Sequence, residues 1–98
     1  MSKVYVVTVY NGISDLDKFA NYAKIAAPVI QEGGGKFLAR GNAIAAYENG
    51  ILDRTVIVEY EDLASARKVY EGSGYRKAID ALDGAANRDI RILSLIHI

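Results

Sequence analysis

The first clear hydrophobic pattern in the chain lies at Lys3–Tyr10, which reads KVYVVTVY. Its β-branched and aromatic residues predict a β-strand. Successive side chains of a strand point to opposite faces of the sheet. The alternating sets are Val4, Val6 and Thr8 on one face, and Tyr5, Val7 and Val9 on the other. Both faces are therefore largely apolar, and we expect both to be covered.

The next segment, Leu16–Gln31, has apolar residues at helical spacing and follows Ser14 or Asp15 as its predicted N-cap. Pro28 lies late in this segment and is expected to kink or restart the helix, because proline lacks the N–H of the helical hydrogen bond. The glycines at 33–35 are interpreted as a helix C-cap and turn rather than a phosphate-binding loop. The predicted inward stripe is Leu16, Phe19, Ala20, Ala23, Ala27 and Ile30.

The middle of the chain predicts a hairpin. A second strand is expected at Lys36–Arg40, with a bulge at Gly41-Asn42 and a continuation to Glu48. Asn49-Gly50 is a strong hairpin signal, and the next three residues are expected to widen the loop. The third strand is predicted at Arg54–Tyr60, which reads RTVIVEY.

The last third of the chain predicts a broken helix and a final strand. Asp62 and Ser73 are the expected N-caps of the two helical segments, which Gly72-Ser73-Gly74 separates and Gly84 ends. The last strand is predicted at Asp89–Leu93, extending into the tail. The inward residues are expected to be Leu63, Ala66 and Tyr70, then Tyr75, Ala78, Ile79 and Leu82.

The predicted element order is β-α-β-β-α-β. One four-stranded antiparallel sheet with both helices on one face satisfies it with short connections, which is a ferredoxin-like α+β fold. The other face of this sheet would be apolar and bare in a monomer, and such a patch marks an interaction site. We therefore expect a homodimer that is joined sheet to sheet.

Composition narrows the function. The 98 residues indicate a single domain over 1–98, and 51% hydrophobic residues are ample for a core. Twelve basic and twelve acidic residues cancel, so no net charge attracts nucleic acid or a membrane, and neither is expected as a partner. With no cysteine and no metal-ligand spacing, no cofactor or metal is expected. The amino terminus lacks the organisation of a signal peptide, so a cytoplasmic protein is expected.

Four stretches of sequence carry a family resemblance: DLDKFANYAKIAAPVIQEGGGKFLARGN, AAYENG, DRTVIVEYED and KVYEGSGYRKAIDALDGAANRDIRIL. They resemble the bacterial DUF1330 family of uncharacterised proteins over nearly the whole chain. That resemblance implies the dimeric α/β-barrel superfamily, in which two ferredoxin-like sheets face each other. The superfamily also holds cofactor-free monooxygenases, lactone isomerases and haem peroxidases. The resemblance implies a fold and a dimer but no particular activity.

Two features depart from the family pattern. Relatives often carry tryptophan near Ile51 and Val69, whereas this chain has none. The tail at 94–98 reads SLIHI, where relatives usually have a short polar end. It is either a strand extension or a non-native stretch fused to the chain, and we favour the second interpretation. His97, the single histidine, lies in this tail and is assigned no role.

The polar candidates for a site are Arg40, Glu48 and Arg54, which match polar positions of the family that the chain resembles and lie on or beside the predicted hairpin. Glu48 and Arg54 are expected to face each other across the two strands. The two guanidinium groups would clamp a carboxylate, with Glu48 as base or orienting group. The alternative is an ion pair on the surface or at the dimer interface.

Four tyrosines are further candidates: Tyr5, Tyr22, Tyr70 and Tyr75. A tyrosine can line a pocket with an apolar ring and donate one hydrogen bond from its hydroxyl. The alternative is packing in the core or at an interface, which helical spacing favours for Tyr70 and Tyr75.

Two functions remain open. The first is binding of a small anionic or carbonyl-bearing organic molecule, with a cofactor-independent enzyme as its extension. The second is a non-catalytic structural or regulatory dimer. RNA binding is not expected, because such sheets need exposed aromatic residues on a basic face. A closed apolar cavity with converging polar groups would favour the first function, and a fully packed interior the second.

Overall fold

The computed structural model describes residues 3–94, which form four strands and three helices. The predicted tail is thus described only at Ser94, and His97 lies outside the described residues. The elements are β1 Val4–Ile13, α1 Leu16–Glu32, β2 Lys36–Asn42, β3 Arg54–Tyr60, α2 Leu63–Tyr70, α3 Ser73–Leu82 and β4 Ala86–Ser94. The broken second helix is therefore two separate helices, α2 and α3.

The strands form one antiparallel sheet in the order β2-β3-β1-β4, and the helices cover one of its faces. This is the ferredoxin-like arrangement that the element order predicts. β1 lies at the centre of the sheet, between β3 and β4. Ser94 pairs with Val4 as the last residue of β4, so the first residue of the predicted tail belongs to the sheet.

The alternation predicted for β1 is confirmed. Val4 and Tyr10 are buried, and they lie on what we call the inner face, the side covered by the helices. Val6 and Thr8 share this face by strand alternation. The opposite side, which we call the outer face, carries Tyr5, Val7 and Val9 of β1, their β3 neighbours Thr55, Ile57 and Glu59, and their β4 neighbours Asp89, Arg91 and Leu93.

Two of the three predicted helix caps are confirmed. The Asp15 carboxylate accepts hydrogen bonds from the backbone N–H groups at the start of α1. The Asp62 carboxylate accepts one from Ser65 N at 2.8 Å. The prediction that Ser73 caps the last helix was wrong: the N-cap of α3 is Gly72, and Ser73 is the first helical residue. Glycine tolerates this role without a side-chain bond.

The helices are held by two apolar clusters. One joins α1 to α3, and the other joins the sheet to α2. Leu16 belongs to neither and is 71% exposed, contrary to the predicted stripe, because the packed part of α1 starts only at Phe19. The buried residues of the cluster between α1 and α3 are Tyr22, Ala26, Tyr75, Ala78, Leu82 and Ala85. Those of the cluster between the sheet and α2 are Val4, Val58, Tyr60, Ala66 and Val69.

The connection between β2 and β3 differs from the prediction. β2 ends at Asn42 instead of continuing to Glu48, and residues 43–53 form a loop. The reason is the length of the partner strand. Asn42 pairs with Arg54, the first residue of β3, so no strand remains beside the residues that follow. The predicted bulge at Gly41-Asn42 is also misplaced, since the register shift lies between Phe37 and Ala39.

The turn after α1 gives a first prediction, since a Cβ atom at Gly35 would lie 2.9 Å from Tyr60 Cζ and 2.9 Å from the Ile30 carbonyl oxygen. Both are much closer than normal contacts, and backbone cannot move aside easily. We expect Gly35→Ala to lower the free energy of unfolding by about 1–3 kcal/mol, as overpacking does. Urea unfolding followed by circular dichroism measures this.

The control is Gln31→Ala, because Gln31 is exposed near the end of the same helix. It should change the free energy of unfolding by less than about 0.5 kcal/mol. Equal stabilities of the two variants would show that the Gly35 turn is not tightly packed.

Candidate functional site

A cavity of about 270 Å³ lies between the inner face and the helices. This is slightly below the volume of sites for drug-sized ligands, which begin at roughly 300 Å³. Its walls are mostly apolar. They include Val6, Thr8, Val56 and Ile90 from the sheet, and Ala23, Ala27, Ile30 and Val69 from the helices.

Small side chains on α1 explain why this space is not filled. Ala23, Ala26 and Ala27 all line the cavity, and they recur at helical spacing. Across the cavity, Val6 and Val56 lie on the covered face of the sheet yet remain only half-buried. The methyl groups of these alanines do not fill the distance to the valines, so a cavity remains between the sheet and α1.

The register of the sheet brings three arginines to one end of the inner face. Arg54 pairs with Asn42, and Arg88 pairs with Tyr10 on the other side of β1. Arg40 pairs with Val56, one inner-face position further along β3 than Arg54. Arg40 and Arg54 are thus diagonal neighbours on the inner face. We call the end of this face that carries the three arginines the polar end; Arg40 and Arg54 line the cavity, whereas Arg88 does not.

Arg54 is the most constrained polar group of the cavity wall. Its Cζ atom lies 5.0 Å from the ring centroid of Phe19, so the guanidinium group packs over an aromatic face. Its Nε atom is buried and has no hydrogen-bond partner within residues 3–94. Leaving a charged donor buried without a partner is costly. Arg40 lies at a more exposed position, with Cζ 4.3 Å from the ring centroid of Phe37.

Neither arginine is neutralised by a nearby acid. In the part of the chain that the structure describes, the ion pairs join Lys3 to Glu59, Lys18 to Asp83, and Arg91 to Asp89. None of these involves Arg40, Arg54 or Arg88. The positive charge at the polar end is therefore available to a ligand.

A second polar group consists of Tyr22, Tyr75 and Arg88, and we call it the tyrosine-arginine cluster. The two tyrosine hydroxyl oxygens are 2.6 Å apart, and both side chains are buried. Arg88 Nη1 donates to the Tyr22 hydroxyl at 2.9 Å and to the Tyr75 hydroxyl at 3.3 Å. Burial, followed by the proximity of Tyr75, raises the pKa of Tyr22 far above its usual value, so its hydroxyl stays neutral.

The structure brings together five of the seven residues proposed from the sequence. Arg40, Arg54, Tyr22, Tyr70 and Tyr75 all line the cavity. Tyr75 is buried, whereas Tyr70 is 43% exposed.

The other two residues lie elsewhere. Tyr5 is on the outer face, paired with Glu59 and Leu93. Glu48 is an exposed loop residue with a φ of 56°, and it does not face Arg54 across two strands as predicted, because Asn42 occupies that position.

Sequence reasoning missed Arg88 and Phe19 as parts of the polar end. The signal for Arg88 was present, because residues two apart in a strand share a face. Arg88 precedes Ile90 and Ile92 at that spacing, and both isoleucines line the cavity. An arginine in register with inward isoleucines marks a charge on a covered face. Phe19 had no comparable signal, since an inward phenylalanine normally indicates only packing.

Within residues 3–94, no group of three His, Cys, Asp or Glu side chains is placed to hold a metal ion. No helix of that segment combines the length and apolarity needed to cross a bilayer.

Solved structures with the same fold include three informative cases. A protein of unknown function from Rhodopseudomonas palustris is 16% identical, with a TM-score of 0.75 over 99% of this chain and 85% of that one. SnoaB, a cofactor-independent oxygenase from Streptomyces nogalater, is 14% identical, with a TM-score of 0.65 over 100% of this chain and 97% of that one. A dimeric ferredoxin-like protein from Thermobifida fusca is 13% identical, with a TM-score of 0.67 over 96% and 92%.

These likenesses define the class of fold, which is ferredoxin-like α+β. The family is equally clear. Residues 3–96 match the model of DUF1330, a domain of unknown function, and the chain belongs to that family. Among curated proteins, none matches this sequence.

The buried tyrosines give a prediction at alkaline pH. Burial, followed by the influence of Tyr75, raises the pKa of Tyr60 from 10.0 to about 12. The unfolded chain loses this proton at a lower pH than the folded chain, so the free energy of unfolding falls as the pH rises from about 10 to about 12. Tyr60→Phe removes one such group. The decline should therefore be shallower in the variant, by up to about 1.4 kcal/mol per pH unit.

Urea unfolding at pH 8, 10 and 11 measures this slope. Tyr47→Phe is the matched control, because Tyr47 is 85% exposed and should leave the slope unchanged. If both variants and the parent lose stability at the same rate, the Tyr60 hydroxyl does not titrate as a buried group.

Proposed function

We propose that this protein binds a small organic molecule, anionic or carbonyl-bearing, in the cavity between the inner face and the helices. The observation that carries the proposal is Arg54, whose guanidinium group lines the cavity and forms no ion pair or side-chain hydrogen bond among the described residues. A carboxylate or carbonyl oxygen is the natural partner, because a guanidinium group only donates hydrogen bonds. The ligand then supplies the hydrogen-bond acceptor that Arg54 lacks among the described residues.

The way the arginines are held supports an anion. Arg40 and Arg54 pack against aromatic rings rather than carboxylates. A cation-π contact orients a guanidinium group without neutralising its charge, whereas an ion pair would cancel it. The two cations are therefore oriented and still attractive to a negative ligand. Arg67 and Glu71 also line the cavity, and their opposite charges offset each other.

The remaining walls define the rest of the ligand. Valine, isoleucine and alanine side chains surround most of the cavity, so the body of the ligand should be apolar. The cavity volume of about 270 Å³ limits the ligand to a small molecule. A compact aromatic or short aliphatic acid fits these limits.

Catalysis is an extension of this proposal. SnoaB, which shares the fold, is described as a cofactor-independent oxygenase. A similar reaction here would act on the molecule bound in the cavity, and oxygen uptake in the presence of a bound ligand would detect it. The second candidate function, a purely structural or regulatory dimer, is less well supported because the interior contains a cavity with converging polar groups.

We further propose that the protein is a homodimer joined through the outer face. Val7 lies at the centre of that face, between Ile57 of β3 and Arg91 of β4. Charges of both signs surround this apolar centre, with Glu59 and Asp89 among the acids. A two-fold interface brings the same patch together twice, so a mixed-charge rim is self-complementary. The similar Thermobifida fusca protein is described as dimeric, which supports this arrangement.

The arginine site is tested by a thermal-shift screen of small organic acids against uncharged analogues of the same shape. Arg54→Ala should weaken binding of any acid hit by about 10- to 100-fold, because a charged hydrogen bond is lost. Arg40→Ala should weaken it less, since Arg40 is more exposed. Binding constants from isothermal titration calorimetry quantify both effects.

The control for this experiment is Arg76→Ala, which removes an exposed arginine of α3 that does not line the cavity. It should bind the acid as the parent does. Unchanged binding by both Arg40→Ala and Arg54→Ala would contradict the site, provided that their circular dichroism spectra show intact folds.

The dimer is tested by Val7→Lys. The lysine stem can still cover the sheet, but its ammonium group would have to be buried at the centre of the interface, which is strongly unfavourable. Light scattering at micromolar concentration should give a dimer mass for the parent and a monomer mass for this variant. Ala64→Lys adds the same charge at an exposed position of α2 and should remain dimeric. A parent protein that is itself monomeric would refute the interface.

A further inference from the structure

The tyrosine-arginine cluster holds more hydrogen-bond donors than it uses. The hydroxyls of Tyr22 and Tyr75 have two protons, and one of them is spent in the bond between the two oxygens, whichever hydroxyl donates. Arg88 donates to both oxygens and accepts from neither. Among the residues that the structure describes, no hydrogen bond uses the second hydroxyl proton. The cluster thus has one O–H donor that has no acceptor among the described residues.

The two residues that share this donor belong to the cavity wall. Both tyrosines line the cavity, and they are only 7% and 5% exposed. Arg88 withdraws electron density from the two oxygens to which it donates, which strengthens the remaining O–H as a donor. The hydroxyl of Tyr22 also stays neutral at physiological pH, because burial raises its pKa. A ligand oxygen that accepts this proton would satisfy a donor that is otherwise buried without a partner.

The cluster and Arg54 both adjoin the aromatic ring of Phe19. Phe19 contacts Arg54, whose Cζ is 5.0 Å from its ring centroid, and its ring centroid lies 6.2 Å from that of Tyr22. Arg54 and the cluster are therefore neighbours of the same side chain. A molecule that reaches both needs two oxygen-bearing groups separated by a ring or a short chain.

We propose that the ligand is a keto acid, or another acid with a second oxygen that only accepts hydrogen bonds. Its carboxylate is bound by Arg54. Its carbonyl or enolate oxygen accepts a hydrogen bond from the hydroxyl of the Tyr22 and Tyr75 pair that has no other acceptor. Arg88 is a positioning residue that fixes the two hydroxyls. This inference rests on the proposed function, because it presupposes that the cavity holds an organic acid.

The test compares acids that differ only in the second oxygen. The probes are 4-acetylbenzoate against 4-ethylbenzoate, and 4-oxopentanoate against pentanoate, each titrated into the full chain by calorimetry. The parent should bind at least one keto acid about tenfold more tightly than its deoxygenated partner, because only the keto acid satisfies the buried donor. This ratio of dissociation constants is the readout, since a general loss of packing would weaken both acids alike.

Substitutions then locate the donor. In the Tyr22→Phe, Tyr75→Phe double variant, the ratio should fall to within about twofold of unity. Arg88→Met should lower the ratio, and Arg88→Lys should restore part of it by keeping a donor to the hydroxyls. The control is Tyr47→Phe, which removes the hydroxyl of an exposed loop tyrosine and should keep the full ratio.

Each result separates the two proposals. If none of the four acids binds the parent, the proposed function and this inference both fall. If acids bind but the keto acids have no advantage, or the double variant keeps the full advantage, the proposed function stands and this inference is overturned. Should the double variant not fold, the single variants decide, and the ratio must fall at least fivefold in one of them.

Discussion

The strict alternation of side chains along β1 determines both surfaces on which function would depend. β1 lies at the centre of the sheet, so its residues face either the helices or the outer face and never solvent at a sheet edge. Val6 and Thr8 form part of the cavity floor, whereas Val7 and Val9 form the middle of the proposed interface. A one-residue slip in register would exchange these sets and remove both surfaces at once.

The cavity itself has a cost in stability. Empty space in a core loses the contacts that larger side chains would make, at about 24 cal/mol per Å³ in a dry cavity. Replacing Ala23 or Ala27 with leucine would fill part of the volume, and nothing in the geometry of α1 forbids it. The sequence instead combines a small-residue stripe on α1 with arginines on the facing sheet. Packing for stability alone explains neither feature, whereas a binding site explains both.

Much of the fold could be predicted from the sequence, because period-two alternation and capping residues are local signals. Arg54–Tyr60 and the Asp62 cap were predicted to the residue. The end of β2 was not, since it depends on how much partner strand β3 offers, and that is a non-local property. The site divides in the same way: Arg40 and Arg54 were predicted from the family pattern and their place on the hairpin, whereas the contact of Arg54 with Phe19 depends on how α1 packs over the sheet.

The net charge of the chain is zero, but its charges are unevenly distributed. A neutral protein can therefore still have a cavity that attracts an anion. The ion pairs found in residues 3–94 involve no residue of the cavity wall. On the inner face, Arg40, Arg54 and Arg88 each lie over an aromatic ring instead, at 4.3, 5.0 and 4.9 Å. Low-dielectric walls make the field of such cations stronger than the same charges would produce in water. A protein with no overall attraction for anions can therefore still select one inside its cavity.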